Sequence, residues 1–339
     1  MPTKSYPFAL TMRKALIVGV DEYASENIRN LTGCVADAQS VCDVLARHHD
    51  GTLNFQCDLR VAKNHHSPIG RHDLRERVQR FFDEDAEAGL FYFAGHGLIE
   101  STGGYLQASD AETASDGLPL NDLLHWVNQS PIRHKLVILD CCHSGAMAAP
   151  ADTPEVAKLG KNVTVLTAST ERQQAAENNG SGLFTGLMVE ALKGAAANIT
   201  GEVSPASVYA FIDQSLSAFQ QRPMFKSNVQ QFISLRNTQP KISLSELHRI
   251  TEFFPAKDDE HALDPSYEKD PSPQHLKDDY KGKDPVKVEI FTILQRYNRL
   301  NLLVPIGEDD MYFAAMNSTG CRLTPLGQHY WRLVKQKLV

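Results

Sequence analysis

Long apolar runs are missing from this 339-residue chain. No stretch reaches the roughly 18 apolar residues that a membrane helix needs. The opening MPTKSYPFALTMRK holds no apolar segment of the length a secretory leader uses. The expectation is a protein with no membrane role, located in the cytoplasm. An excess of positive charge is missing too: 34 Lys and Arg stand against 41 Asp and Glu, a formal net charge of -7. That argues against a surface built as a whole for nucleic acid and leaves only local basic patches. Cysteine is scarce. The six thiols, Cys34, Cys42, Cys57, Cys141, Cys142 and Cys321, include no C-x-x-C pair and no zinc-ligand spacing. A reducing compartment keeps such thiols free. No internal repeat is present.

What is there is an alternation. Between residues 13 and 236, apolar strands alternate with amphipathic helices, the pattern of a largely parallel α/β sheet. Strands are expected over ALIVGV (15–20), FQCDLRVA (55–62), LFYFA (90–94), LVILD (136–140) and NVTVLTAS (162–169), with QQFISL (230–235) as an edge strand. Helices are expected over 37–48, 67–85, 120–128, 183–193 and 205–219. GGYLQASD has the look of a hairpin. Composition then shifts: residues 237–284 are rich in Asp, Lys, Pro and Ser, as a linker would be. Residues 285–339 regain apolar periodicity. They suggest a helix, a hairpin over MYFAAMNSTGCRL and a last helix capped by Thr324-Pro325, the makings of a small winged-helix-like α+β module.

Two of the strands end on chemistry. LFYFA runs into Gly95-His96-Gly97, and LVILD runs through Asp140 into Cys141-Cys142-His143-Ser144-Gly145. Ligands of open α/β sheets bind at the carboxyl ends of strands. A thiol becomes a nucleophile when a base takes its proton, and acyl transfer needs N–H donors for the developing oxyanion. These requirements assign Cys142 as nucleophile, His96 as base, and the N–H groups of Gly97 and Cys142 as the oxyanion hole. A zinc site of His96, Cys141, Cys142 and His143 is the chemical rival. It fits poorly, because neighbouring strand residues point to opposite faces.

GHG followed 46 residues later by DCCHSG resembles the caspase-like cysteine peptidases, and more closely the metacaspases and their bacterial relatives than animal caspases. The resemblance covers about residues 13–236. It implies a caspase-like sandwich, a mostly parallel six-stranded sheet flanked by helices, and identifies the second cysteine, Cys142, as nucleophile. LTGCVADA (31–38) is similar to the metacaspase segment that lines the S1 pocket, which assigns Cys34 and Asp37 to that pocket. Asp140 shares a strand face with Cys142, and the two acids together favour a cationic side chain, hence cleavage after Arg or Lys. Taken alone, Asp37 also reads as an acid stabilised by a helix N-terminus. Ala94 stands where the family often has Ser (YSGHG), which removes one pocket hydroxyl and leaves Arg versus Lys open. ASTERQQAAE (168–177) and GLFTGLMVEALKG (182–194) resemble further family segments.

No cofactor is assigned and no metal. The resemblance allows calcium through Asp110, Asp116 and Asp122, but Asn121 replaces one acid of the usual set, and solvated loop acids explain them equally well. Lysines at 158 and 161, and at 257, 269, 277, 281 and 283, are candidate self-cleavage sites. Residues 285–339 carry seven Lys and Arg against four Asp and Glu, a modest excess that favours a regulatory protein partner over nucleic acid. The expected function is a cysteine endopeptidase acting on protein substrates with a basic residue at the cleaved position, regulated through its C-terminal domain in a bacterial stress or defence pathway. The alternative is a caspase-like scaffold or DNA-binding regulator acting through residues 285–339. A thiol acyl transferase is weaker, since it has no use for two pocket acids.

Overall fold

The computed structural model describes residues 12–63, 68–100, 103–113, 116–141, 159–168, 177–178, 181–216, 222–276 and 280–339. The chain forms two compact units, Met1–Gln239 and Pro240–Val339.

The first unit begins with β1 (Arg13–Val20), α1 (Cys34–Ala46), β2 (Gln56–Ala62), α2 (Arg71–Asp83) and β3 (Ala88–Ala94). A small antiparallel sheet follows, β4 (Gly97–Glu100), β5 (Gly103–Gln107) and β6 (Gly117–Pro119). Then come α3 (Leu120–Gln129), β7 (His134–Asp140) and β8 (Val163–Thr167). The short hairpin β9 (Glu177–Asn178) and β10 (Ser181–Gly182) leads into α4 (Leu183–Glu190), which continues as a π turn over Ala191–Ala195. β11 (Glu202–Val203), α5 (Pro205–Ser215), β12 (Met224–Asn228) and β13 (Arg236–Asn237) complete the unit.

Six strands build the main sheet in the order β12-β8-β7-β3-β1-β2. All neighbours are parallel except β12, which runs antiparallel to β8. β3, residues 15–20 of β1 and residues 136–139 of β7 form unbroken nonpolar runs because both faces are covered, so neither set of side chains meets water. One face packs Leu16, Val18, Phe91, Phe93, Val137 and Leu139 against Leu74, Val78 and Phe82 of α2 and Leu123 and Val127 of α3. The other packs Ile17, Leu90, Tyr92, Leu136 and Ile138 against α1, α4 and α5. Each fully buried Leu, Ile or Phe contributes about 1.5–3 kcal/mol.

Gly19 brings α1 onto this sheet. A Cβ at Gly19 would lie 2.5 Å from the Cys34 carbonyl oxygen and 2.8 Å from the Ala38 Cβ. Without it, the first turns of α1 rest directly on the carboxyl end of β1. QQFISL is not the edge strand. Residues 229–235 are irregular, and the edge is β12, just before them. Leu235 is buried and its N–H donates to the Val203 carbonyl at 2.6 Å, so the segment closes the bottom of the core instead of extending the sheet.

In the second unit, α6 (Leu244–His248), α7 (Ile250–Phe253) and β14 (Glu260–Ala262) lie in the stretch whose composition suggests a linker. β14 pairs with β16, which ties residues 260–262 into this unit. Phe253, Phe254, Leu263 and Tyr267 supply the buried surface that the surrounding charged residues mask in the sequence. α8 (Pro285–Arg299), β15 (Leu303–Pro305), α9 (Met311–Met316), β16 (Gly320–Leu323) and α10 (Pro325–Lys335) follow, and the antiparallel sheet runs β14-β16-β15. The hairpin read over MYFAAM is the helix α9. Asp310 caps it by accepting the Phe313 N–H at 2.8 Å, and Met311, Ala314 and Ala315 bury one face. α10 starts where Thr324-Pro325 indicates, with the Thr324 hydroxyl accepting from the Gly327 N–H. Among the described residues no helix is long and apolar enough to cross a membrane.

Candidate active site

The register carries the chemistry to one edge. Ala94 of β3 lies beside Asp140 of β7 and beside Gly19 of β1, so three neighbouring parallel strands end together. The Gly95 N–H reaches the Asp140 carbonyl at 3.4 Å. Every β3–β7 pair is separated by 46 residues, the same interval that separates His96 from Cys142 in the sequence. Cys142 itself, as nucleophile and as oxyanion donor, lies outside the described residues, together with His143. Gly97, the other oxyanion residue, is buried and opens β4 opposite Leu106. Cys141 is 2 % exposed and packs among Phe93, Leu139 and Leu106.

His96 is half-buried and held on two sides. Its Nε2 lies 2.7 Å from the Arg29 carbonyl oxygen. A carbonyl can only accept, so Nε2 carries the proton and Nδ1 is the basic nitrogen of the neutral ring. Its backbone N–H donates to the Tyr23 hydroxyl at 2.7 Å, and the two rings lie tilted against each other at 42° with centroids 4.9 Å apart. Burial holds the Tyr23 phenol well above its usual range, so it stays neutral.

Arg29 and Tyr23 both come from the loop between β1 and α1. Asp21 organises that loop: its buried carboxylate accepts from the N–H groups of Cys34 (2.8 Å) and Val35 (3.3 Å), and its carbonyl accepts from Leu31. Gly33, the residue before α1, offers no side chain, so an acid from the end of β1 caps the helix instead. Tyr23 and Asp21 are functional neighbours that motif reasoning misses. The signal available for Asp21 was the one used at Asp140, an acid directly after a buried strand.

The pocket residues converge. Cys34, 8 % exposed, Asp37 and Ala94 pack on the sheet face that also holds Leu136 and Ile138, and Asp140 follows these two in the same alternation. Asp37 and Asp140 are 3 % and 8 % exposed. Asp37 Oδ2 accepts from the Gly182 N–H at 2.9 Å. Asp140 Oδ2 accepts from the Thr185 hydroxyl at 2.5 Å, and that hydroxyl lies 2.7 Å from the Tyr92 hydroxyl. Thr185 has one proton and spends it on Asp140, so Tyr92 donates to Thr185. Burial above all, then the carboxylates of Asp140 and Asp37, push the Tyr92 phenol well above its usual range and keep it a donor. Burying two acids side by side is costly unless both are hydrogen-bonded and meet a cation.

The acids considered for calcium are engaged otherwise. Asp116 pairs with Arg71 at 2.6 Å, Asp122 pairs with Arg75, and Asp110 accepts the Arg71 N–H at 2.8 Å. Guanidinium groups thus pair with two of the three carboxylates and a backbone N–H with the third, an arrangement unlike the six or more oxygens a hard cation seeks.

A six-stranded, mostly parallel sheet with helices on both faces and a histidine at a strand end fits the caspase-like class of α/β proteins. The caspase domain family profile matches residues 12–233, and the chain belongs to that family, whose members are in general cysteine peptidases. The crystal structure of caspase-1 from Spodoptera frugiperda superposes with a TM-score of 0.50 at 14% identity, covering 68% of this chain and 92% of that one. A Geobacter sulfurreducens protein matches with a TM-score of 0.48 at 15% identity, covering 68% of this chain and 98% of its own. Comparison with curated proteins finds no match.

Proposed function

We propose that this chain is a cysteine endopeptidase that cleaves protein substrates after Arg or Lys. The observation that carries the reading is the convergence of two buried carboxylates, Asp37 and Asp140, on Gly182 at the carboxyl edge of the sheet. A pocket of that charge suits a guanidinium or ammonium group and repels the acidic side chain an Asp-directed caspase would take.

The mechanism follows from the residues. His96 Nδ1 takes the proton of the Cys142 thiol, and the sulfur attacks the carbonyl carbon of the bond to be cut. The oxyanion formed accepts hydrogen bonds from the N–H groups of Gly97 and Cys142. His96 then gives its proton to the departing amine, the C–N bond breaks, and a thioester remains. Water, deprotonated by His96, attacks the thioester, and the acid product leaves as the thiol is restored. The hydrogen bond from Nε2 to the Arg29 carbonyl supports this assignment, because it fixes the tautomer through both half-reactions. The reading places the protein in a reducing cytoplasm and gives residues 285–339 to a regulatory protein partner, in a bacterial stress or defence pathway.

The test is a panel of fluorogenic peptides ending in Arg, Lys or Asp, assayed beside Cys142→Ala. Cleavage after Arg or Lys that vanishes in the variant is expected. Cleavage after Asp would overturn the pocket assignment and spare the dyad. Activity that survives Cys142→Ala would overturn the dyad.

A further inference from the structure

Gly182 is the point where the two pocket acids meet. A Cβ built there would lie 3.0 Å from Asp140 Oδ2 and 3.1 Å from Asp37 Oδ2. Both are tighter than ordinary contacts for a methyl group, so a side chain at this position would press on both carboxylates at once. Gly182 has an unremarkable φ of -66°, so the backbone does not require glycine at this position. The space between the carboxylates does. The carboxylates are buried, and Gly182, against which both lie, is half-exposed.

The neighbouring groups hold the two acids to that point from different elements. The Gly182 N–H holds Asp37, from α1. Thr185, one turn into α4, holds Asp140, from β7, and Tyr92 of β3 holds Thr185 from beneath. Thr185 is 1% exposed and Tyr92 0%, so neither touches a substrate, and both act through Asp140.

We propose that Gly182 is a specificity-determining residue that reserves the space between Asp37 and Asp140 for one cationic nitrogen of the substrate, with Thr185 and Tyr92 as positioning residues that aim Asp140 at it. The inference rests on the basic-specific reading above and deepens it. The segment Gly182-Leu183-Phe184-Thr185 then belongs to the pocket as much as to the core: its glycine opens the space and its threonine sets one wall.

The experiment compares an Arg reporter peptide with its citrulline counterpart, which has nearly the same shape and no charge, on the full chain. Gly182→Ala is expected to lower the Arg-to-citrulline ratio of kcat/KM by about 10-fold or more, chiefly through KM for Arg, as expected when a charge-assisted hydrogen bond is lost. Thr185→Val is expected to lower the same ratio and Thr185→Ser to restore it. An equal loss on both reporters would overturn the inference, since it would mark a merely structural role. A wild-type ratio kept in Gly182→Ala would overturn it as well, while leaving the basic-specific reading intact. A wild type that does not prefer Arg over citrulline would remove that reading and the inference together. If Gly182→Ala fails to fold, as judged by its thermal transition, the Thr185 pair decides by the same ratio.

Discussion

The two compact units differ in the acids they bury. In the first, Asp21, Asp37 and Asp140 are all buried, and all three sit where strands β1 and β7 end or where α1 begins. In the second, the acids pair at the surface: Glu246 with Arg296, Asp264 with Lys287, Arg249 with both Glu252 and Glu289. Thr324 is the one buried polar side chain among the described residues of that unit. Buried carboxylates cost free energy that exposed pairs do not, and each of these three is hydrogen-bonded where it sits. Surface pairs contribute about 0–1 kcal/mol and imply little. The comparison therefore sets acids held inside a fold against acids held at its surface.

That contrast can be broken at graded points. His96→Ala carries the largest expected effect, a fall in kcat of about 10²–10⁴-fold on an Arg reporter, as loss of a general base gives. An unchanged kcat would remove His96 from the mechanism. Asp140→Asn comes next. It keeps the shape and deletes the charge, and kcat/KM for Arg should drop about 10–100-fold, with KM carrying the change. Tyr23→Phe is milder. It leaves the ring against His96 but takes the acceptor from the His96 N–H, and about 1 kcal/mol, near 5-fold in kcat, is expected. A change in KM alone would show that Tyr23 serves the pocket instead of the histidine.

The smallest effect belongs to the second unit. Although burial opposes it, the hydrogen bonds from Ser243 and Arg296 hold the Glu246 carboxyl below its usual range. A depressed acid stabilises the fold above its unfolded pKa, near 4.5, and that contribution is lost as pH falls through the folded value. Arg296→Met should therefore flatten the acid limb of the second unit's thermal stability below pH 4.5 and leave peptidase kinetics at neutral pH as they were. A loss of stability as large at pH 7 as the catalytic effects imply would show that the surface pairs are no weaker than the buried acids, and the comparison would fail.

Most of the first unit was legible in the sequence because its strands are covered on both faces. That cover demands unbroken apolar runs, and the residues that end such runs stand out: Asp140 after LVIL, and His96 between two glycines. The glycines and acids of GHG and DCCHSG also mark the family. The second unit was harder to read. β14 is three residues long and its neighbours are charged, so composition suggested a linker where Phe253, Phe254 and Tyr267 build a core. MYFAAM bears residues that suit a strand or a helix alike, and the Asp310 cap decided for the helix.

By itself the sequence determined the alternation of strands and helices, and it nominated the reactive pair and the pocket acids, because each of these readings depends on residue type and local spacing. Only the tertiary structure decided which atoms meet. The Arg29 carbonyl reaches His96 across 67 residues and the Gly182 N–H reaches Asp37 across 145. Backbone groups have no signature in a sequence, and their positions follow from how α1 seats on Gly19 and how α4 packs on the sheet. Which nitrogen of His96 holds the proton, and that two acids from different elements meet at Gly182, are consequences of that packing.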